Sequence, residues 1–350
     1  NSQTLTTQSI PTLIKQLAIP ASTGMFFNTM YNVVDTFYAG LISTQAISAL
    51  TLSFMIFFLI IGFGYGFSSA ITALLGNAFG KKKYKLATIY AHKGLIFVPL
   101  IGVILSLIGY FFAPSLFILL GAKEDYLNLS LEYINPILFG SVFFMFNFSL
   151  NSILVATGDT KTYRNSLIFG FFANLVLNPL LMYGFLFIPA MGLSGIAIAT
   201  VLIQIINMGY LLYKVLQTKL IHFEKLDYFS PNFRVYKQFL NQGIPSSLNM
   251  LTMGIGSLIL TYFVSHYGVN AVAGYGIGFR VEQLMLLPAL GLSTAVLALV
   301  SNNYGAKRYD RVIETMKVSL KYGFIISTFG IIILTLLGKV IISLFDSNPI

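Results

Sequence analysis

Three ionisable side chains fall inside long apolar stretches of this sequence: Asp35, Arg280 and Glu282. A charge near a bilayer centre costs roughly 2.5–3.5 kcal/mol on insertion scales, so such residues face a cavity or a partner and mark ion or substrate paths. Asp35 follows Pro20 by about 22 Å of helix, towards the far end of its stretch. A carboxyl shielded from water there could take up and release a proton near physiological pH. The alternative is a carboxylate at headgroup level, simply solvated. Arg280 and Glu282 stand two apart and do not share a helix face. Each is a candidate for a charge pair with another span, either to position its own helix or to take part in ion coupling. Polar groups gather in the first half: Asn151, Asn174, Asn178 and Thr200. Asn174 and Asn178 are four apart and lie on one helix face. An amide can hydrogen-bond a carboxyl group in either protonation state, which suits a site that titrates. The plainer use of such amides is to join helices, at about 0.6 kcal/mol each. Pro20, Pro99, Pro136, Pro179, Pro245 and Pro288 fall in the same stretches, where proline bends helices and frees backbone carbonyls.

What must position these groups is a set of membrane helices. Apolar residues make up 56% of the 350-residue chain and charged residues 9%, against about 25% charged in a soluble domain. The apolar runs are continuous and near the ~20 residues that span a bilayer as helix. They lack the short polar–apolar alternation of barrel strands. Nine spans are expected, at roughly 13–40, 46–75, 88–112, 134–156, 165–187, 192–214, 238–264, 272–300 and 318–343.

Charge orients them. With the N-terminus in the cytoplasm, Lys15, the Lys81–Lys85 turn, Lys93, Lys161, Arg164, the basic residues of 214–237 and those of 307–321 all lie inside. Only Lys123 and Lys339 fall outside, while Glu124, Asp125 and Glu132 sit in an external loop. Such sorting is the positive-inside rule. It accounts for the net charge of +10 without nucleic acid as a partner.

The sequence also repeats itself without gaps, at a fixed offset that carries Ile19-Pro20 onto Ile244-Pro245. At that offset Ser22 falls on Ser247, and Gly66, Ser68 and Ala70 fall on Gly291, Ser293 and Ala295. Asn77, Gly80, Lys82 and Tyr84 fall on Asn302, Gly305, Lys307 and Tyr309. Six spans precede the second copy, so both copies run in the same direction, about an axis along the membrane normal. Three spans of the second copy are present. The expectation is a twelve-span protein of which this chain lacks the last three spans. It begins with Asn rather than Met, so a trimmed start is also expected. No signal peptide is visible in its polar, uncharged opening N-S-Q-T-L-T-T-Q-S-I-P-T.

Several activities lack their parts. There is no cysteine for disulfide, thiolate or iron–sulfur chemistry. His92, His222 and His266 fall in loops or at span ends, and no H-E-x-x-H is present, so an enzyme is not expected. The turn G-N-A-F-G-K-K lacks phosphate-loop spacing, and G-F-G-Y-G (62–66) lies inside a span, as close helix packing would require.

The paired I-P-x-S segments, Asp35 late in span one, the G-N-A-F-G-K turn and its copy S-N-N-Y-G-A-K-R resemble the multidrug and toxic compound extrusion (MATE) family. The segment G-F-R-V-E-Q-L-M-L-L-P-A-L-G-L-S-T-A (278–295) is similar to its DinF-like branch. The resemblance implies an all-α polytopic membrane protein of two six-helix lobes related by a parallel repeat, the second lobe incomplete in this chain. The lobes would be residues 1–218 (spans 1–6) and 238–350 (spans 7–9 of 7–12), joined by a cytoplasmic linker loop at 219–237. It implies a monomeric antiporter of a bacterial inner membrane that exports small organic, lipophilic or cationic compounds by alternating access. Its coupling ion would be a proton, or alternatively a sodium ion near Asp35, with no cofactor or bound metal otherwise. Asp35, Asn151, Asn174 and Thr200 match the branch's coupling positions, and Pro20 and Pro245 are the expected helix-bending points. The branch often has a second acid four residues after the span-five Asn, where this chain has Asn178. Another branch carries an acid in span seven, which here reads S-L-N-M-L-T-M. Both departures favour a single proton at Asp35 over a cation site. A lipid-precursor flippase of the same superfamily is the closest alternative, and a channel the next.

Overall fold

The computed structural model describes residues 4–120, 122, 124–187, 189–222, 228, 230–267 and 269–343. Its helices are α1 (Ile10–Ile42), α2 (Thr44–Gly80), α3 (Tyr84–Leu119), α4 (Glu124–Ala156), α5 (Lys161–Tyr183), α6 (Gly192–Gln217), α7 (Phe233–Ser265), α8 (Val269–Gly305) and α9 (Tyr309–Ser343). No β-strand occurs among the described residues. Eight of the nine expected spans lie within one helix, which overruns the span because backbone hydrogen bonding continues past the apolar stretch; the exception is 165–187, where α5 stops at Tyr183 and Gly184 turns the chain at φ 78°. α7 begins at Phe233, inside the stretch read as linker. Among the described residues, seven helices are long and apolar enough to cross a membrane. α1 falls short of that measure because Asn28, Asn32 and Asp35 interrupt its apolar run.

Local chemistry sets the helix ends. The Ser43 side chain accepts the Ala46 N–H at 3.0 Å to cap α2, and Asn232 accepts the Val235 N–H at 3.2 Å to cap α7. The repeat offset holds for the helix bounds as well: it carries Thr44 and Gly80, the ends of α2, onto Val269 and Gly305, the ends of α8. It also carries the start of α3 at Tyr84 onto the start of α9 at Tyr309. The turns between them match residue for residue: Lys82 and Lys307 both adopt left-handed backbone, at φ 56° and 60°.

α4 runs through the middle of the first lobe, packed on α2, α3 and α6, while α5 packs on α1 and α6. The second lobe is represented by α7, α8 and α9. The lobes meet where α1 packs on α8 and where α2 packs on α7 and α8. This seam is built from small residues, because lipid offers no hydrophobic incentive for helices to associate and close backbone approach must supply the contact. Gly66 has Ser247 against its Cα, and its counterpart Gly291 has Ser22 in the same position. Gly80 touches the Asn302 carbonyl, and its counterpart Gly305 touches that of Asn77. A Cβ at any of the four would overlap backbone atoms of the facing helix. Within the G-F-G-Y-G segment, Gly62, Gly64 and Gly66 face Leu251, Phe148 and Ser247, so the run serves helix packing. Among the described residues, the seam runs from Phe58 and Gly254 to the Gly80 and Gly305 turns, an end that carries Lys81, Lys82, Lys83, Lys85, Lys307 and Arg308.

Candidate functional site

Asp35 lies two turns from the far end of α1, on the face that packs against α5 and α6, and is 3% exposed. Its Oδ1 accepts N–H groups from both Asn174 and Asn178 at 2.8 Å each. Its Oδ2 accepts the Thr200 hydroxyl at 3.3 Å. The four-residue spacing on α5 puts both amides on one face, and both are fully buried. They also exchange N–H···O bonds with each other, at 3.4 and 3.2 Å. The carboxylate thus faces three donors from two helices of its own lobe. Donors to an ionised carboxylate make charge-assisted bonds, which offset part of the cost of burying the charge. The same groups can serve the protonated acid, since a hydroxyl rotates and an amide offers its carbonyl.

Sequence reasoning missed two neighbours. Tyr31, one turn before Asp35, is buried on the same face with Thr200 and Asn174 as polar neighbours, although its hydroxyl makes no hydrogen bond of good geometry. Tyr133 of α4 is buried close enough to sense the Asp35 charge. Helical spacing could have flagged Tyr31, four residues before Asp35; only the packing of α4 could have found Tyr133.

The structure does not bring Asn151 to Asp35. Asn147, one turn earlier on α4, donates to the Gln204 side chain at 2.7 Å and to its carbonyl at 3.0 Å. Gln204 is already one turn past Thr200 towards the lysine-rich end. Asn151 lies a further turn in that direction, about 12 Å beyond the level of Thr200. Its side-chain oxygen is buried without a hydrogen-bond partner. Glu282 is exposed on α8, and the side chain of Arg280 lies outside the described residues, as does any pairing it makes. Pro20 is buried inside an unbroken α1, and Pro245 is exposed inside α7.

The MatE family model matches residues 20–180 and 245–350, two stretches that begin at the paired prolines. The chain belongs to the MatE family. It is 30% identical to the probable multidrug resistance protein YoeA of Bacillus subtilis over 307 residues, 87% of this chain and 66% of that protein. It is 27% identical to the probable multidrug resistance protein NorM of Thermotoga maritima, over 98% of this chain and 74% of that one. Its fold matches a MOP superfamily transporter from Pyrococcus furiosus with a TM-score of 0.90 at 26% identity, covering 99% of this chain and 76% of that one. The MatE chain described here thus spans about two thirds to three quarters of the length of these relatives. With those relatives and its apolar helices, it is a multi-pass membrane protein with the two-lobed architecture of MATE transporters.

Proposed function

We propose that this chain exports organic compounds by alternating access, driven by a proton that binds Asp35. The observation that carries the reading is the buried carboxylate held by Asn174, Asn178 and Thr200 inside one lobe. Relatives named as multidrug resistance and multidrug export proteins support the export of compounds. A proton is preferred to sodium because Asp35 is met by N–H donors, whereas a hard cation needs several converging oxygens. The position four residues after Asn174 is Asn178, so the site holds one carboxylate.

The mechanism follows from what α1 touches. At one level it carries Asp35 against α5 and α6. About 20 Å away it carries Ser22, packed on Gly291 of the other lobe, with Pro20 beside it. Protonation removes the charge that the three donors stabilise. The preferred packing of α1 on α5 and α6 changes, and the change reaches the seam through the same helix. That difference in interaction between two states is what a ligand-driven switch requires. The lysine-rich end faces the cytoplasm, where substrate enters between the lobes; proton uptake from the opposite side expels it. The substrate is lipophilic or cationic, and the protein acts as a monomer in the bilayer with no cofactor.

Dye efflux from vesicles, with a pH gradient and a sodium gradient imposed separately, tests this. The pH gradient alone should drive efflux, and Asp35→Asn should abolish it while the protein stays folded. Efflux that responds to neither gradient would replace the reading with a lipid-precursor flippase or a channel.

A further inference from the structure

A short segment leads into each repeat at the lysine-rich end, and each is held by a cation from the opposite lobe. Before α1, residues 4–8 cross the seam, with Thr4–Thr6 in a 3-10 turn. Leu5 is buried among Val155 of α4 and Leu292, Ala295, Ala298 and Leu299 of α8. Its carbonyl accepts from Asn303 at 3.1 Å and from Arg311 at 3.4 Å. Arg311 also donates to the Gln8 carbonyl at 2.6 Å and to the Asn303 side chain at 2.9 Å. Arg308 donates to the Thr6 carbonyl at 2.8 Å. Before α7, the arrangement recurs with the lobes exchanged. Lys93 of α3, 3% exposed, donates to the carbonyls of Tyr228 and Ser230. The repeat offset carries Leu5 onto Ser230, so the same carbonyl of the repeat is gripped twice. Beside Lys93, the His92 ring accepts the His222 N–H at 3.0 Å, and Tyr90 donates to Gln238 of α7 at 2.7 Å.

We propose that these two cation–carbonyl clamps form the gate at the lysine-rich end, Arg311 with Asn303 on one side and Lys93 on the other, and that both must release before that end opens. The proposal rests on the alternating-access reading. Rocking of rigid lobes leaves contacts within a lobe intact and must break those between them. Both clamps are of the second kind, and Asn303, which anchors one of them, stands two residues before the Gly305 contact that closes the seam. Each grips the segment entering α1 or α7, the helices that present Ser22 and Ser247 to the other lobe. Backbone carbonyls suit a gate that must open repeatedly. Their partners leave no carboxylate behind, and water satisfies the freed groups once the seam parts.

The chain has no cysteine, so single reporters are unambiguous. Ser301→Cys sits under Gly76 near the lysine-rich end, 8% exposed, and Phe54→Cys lies towards the opposite end of α2, 41% exposed. In the full chain in vesicles, a membrane-impermeant maleimide is applied from each side in turn. Arg311→Gln and Lys93→Met should each raise labelling of Ser301→Cys from the lysine-rich side about tenfold, while labelling of Phe54→Cys from the other side falls. Arg311→Lys should change both less. Labelling that rises at both reporters means general loosening, and unchanged labelling means the clamps bear no load; either overturns the proposal. Should the charge variants fail to fold, Thr6→Cys with Arg308→Cys, joined by a short reducible dithiol-reactive cross-linker, provides the second arm. Cross-linking should stop efflux and reduction restore it, and full efflux from the cross-linked protein would overturn the gate. If Asp35→Asn leaves efflux intact while the labelling shifts occur, the coupling reading fails and the gate stands.

Discussion

α1 and α7 are the same helix of the repeat, yet only their lysine-rich halves are alike. Ile19, Pro20 and Ser22 of α1 correspond to Ile244, Pro245 and Ser247 of α7, and both serines sit against a glycine of the other lobe. In the far halves, Tyr31 and Asp35 correspond to Gly256 and Leu260, and Leu260 is half-exposed where Asp35 is buried. Between these two helices, the repeat thus shares its seam and sets a carboxylate in α1 alone. A rocking interface has to fit itself from both sides, so its parts come in pairs. A coupling carboxylate needs only one lobe, and a second would add another buried charge to stabilise.

The largest expected effect tests that asymmetry directly. Asp35→Asn should reduce gradient-driven dye efflux to the leak rate, whereas Leu260→Asn at the matching position should leave it within about twofold. Equal losses from both would make the two halves functionally alike. The seam should show the opposite behaviour. Gly66→Ala and Gly291→Ala each push a methyl group into the backbone of the facing helix. Overpacking of this kind costs about 1–3 kcal/mol, and the two variants should lower the unfolding temperature by similar amounts. A large difference between them would show that the pairing is geometric only.

Asn178→Asp sharpens the ion selectivity of the polar half. The Asn178 amide nitrogen is 2.8 Å from Asp35 Oδ1, so an acid there would set two carboxyls side by side. Both cannot ionise without a proton or cation between them. The variant should respond more strongly to a sodium gradient than the parent chain does, read in the same vesicles. A parent chain driven equally well by sodium would end the single-proton reading.

Much of this was legible in the sequence, for reasons that differ by feature. The helices follow from apolar runs of bilayer length. The repeat follows from prolines and from the turn that Gly80, Lys82 and Tyr84 share with Gly305, Lys307 and Tyr309. Asn174 and Asn178 declare a common face by their spacing, and the family resemblance sets them with Thr200 beside Asp35. What stays hidden is the register of one helix against another. Nothing local in α4 says how far it slides along α6, and the Asn147–Gln204 contact, which sets that slide, joins residues far apart in the chain. The clamps are hidden for another reason: their acceptors are main-chain carbonyls, which every residue possesses. The sequence marks Lys93 and Arg311 only as basic residues of one side.

The smallest expected effects separate residues that touch the carboxylate from those that merely resemble its partners. Thr200→Val removes one hydroxyl bond to Asp35 Oδ2 and leaves the two amide bonds to Oδ1 in place. A single such bond is worth about 1 kcal/mol, so proton-driven efflux should fall only about fivefold. Asn151→Ala takes away a side chain whose oxygen has no partner and which lies some two turns from the level of Thr200. Efflux in that variant should stay within about twofold of the parent chain, with a slight gain in thermal stability because an unsatisfied buried oxygen is gone. If Asn151→Ala instead cost as much as Thr200→Val, α4 would have to slide by about two turns during transport to bring that amide to Asp35. The polar site would then be assembled by the motion it is meant to drive.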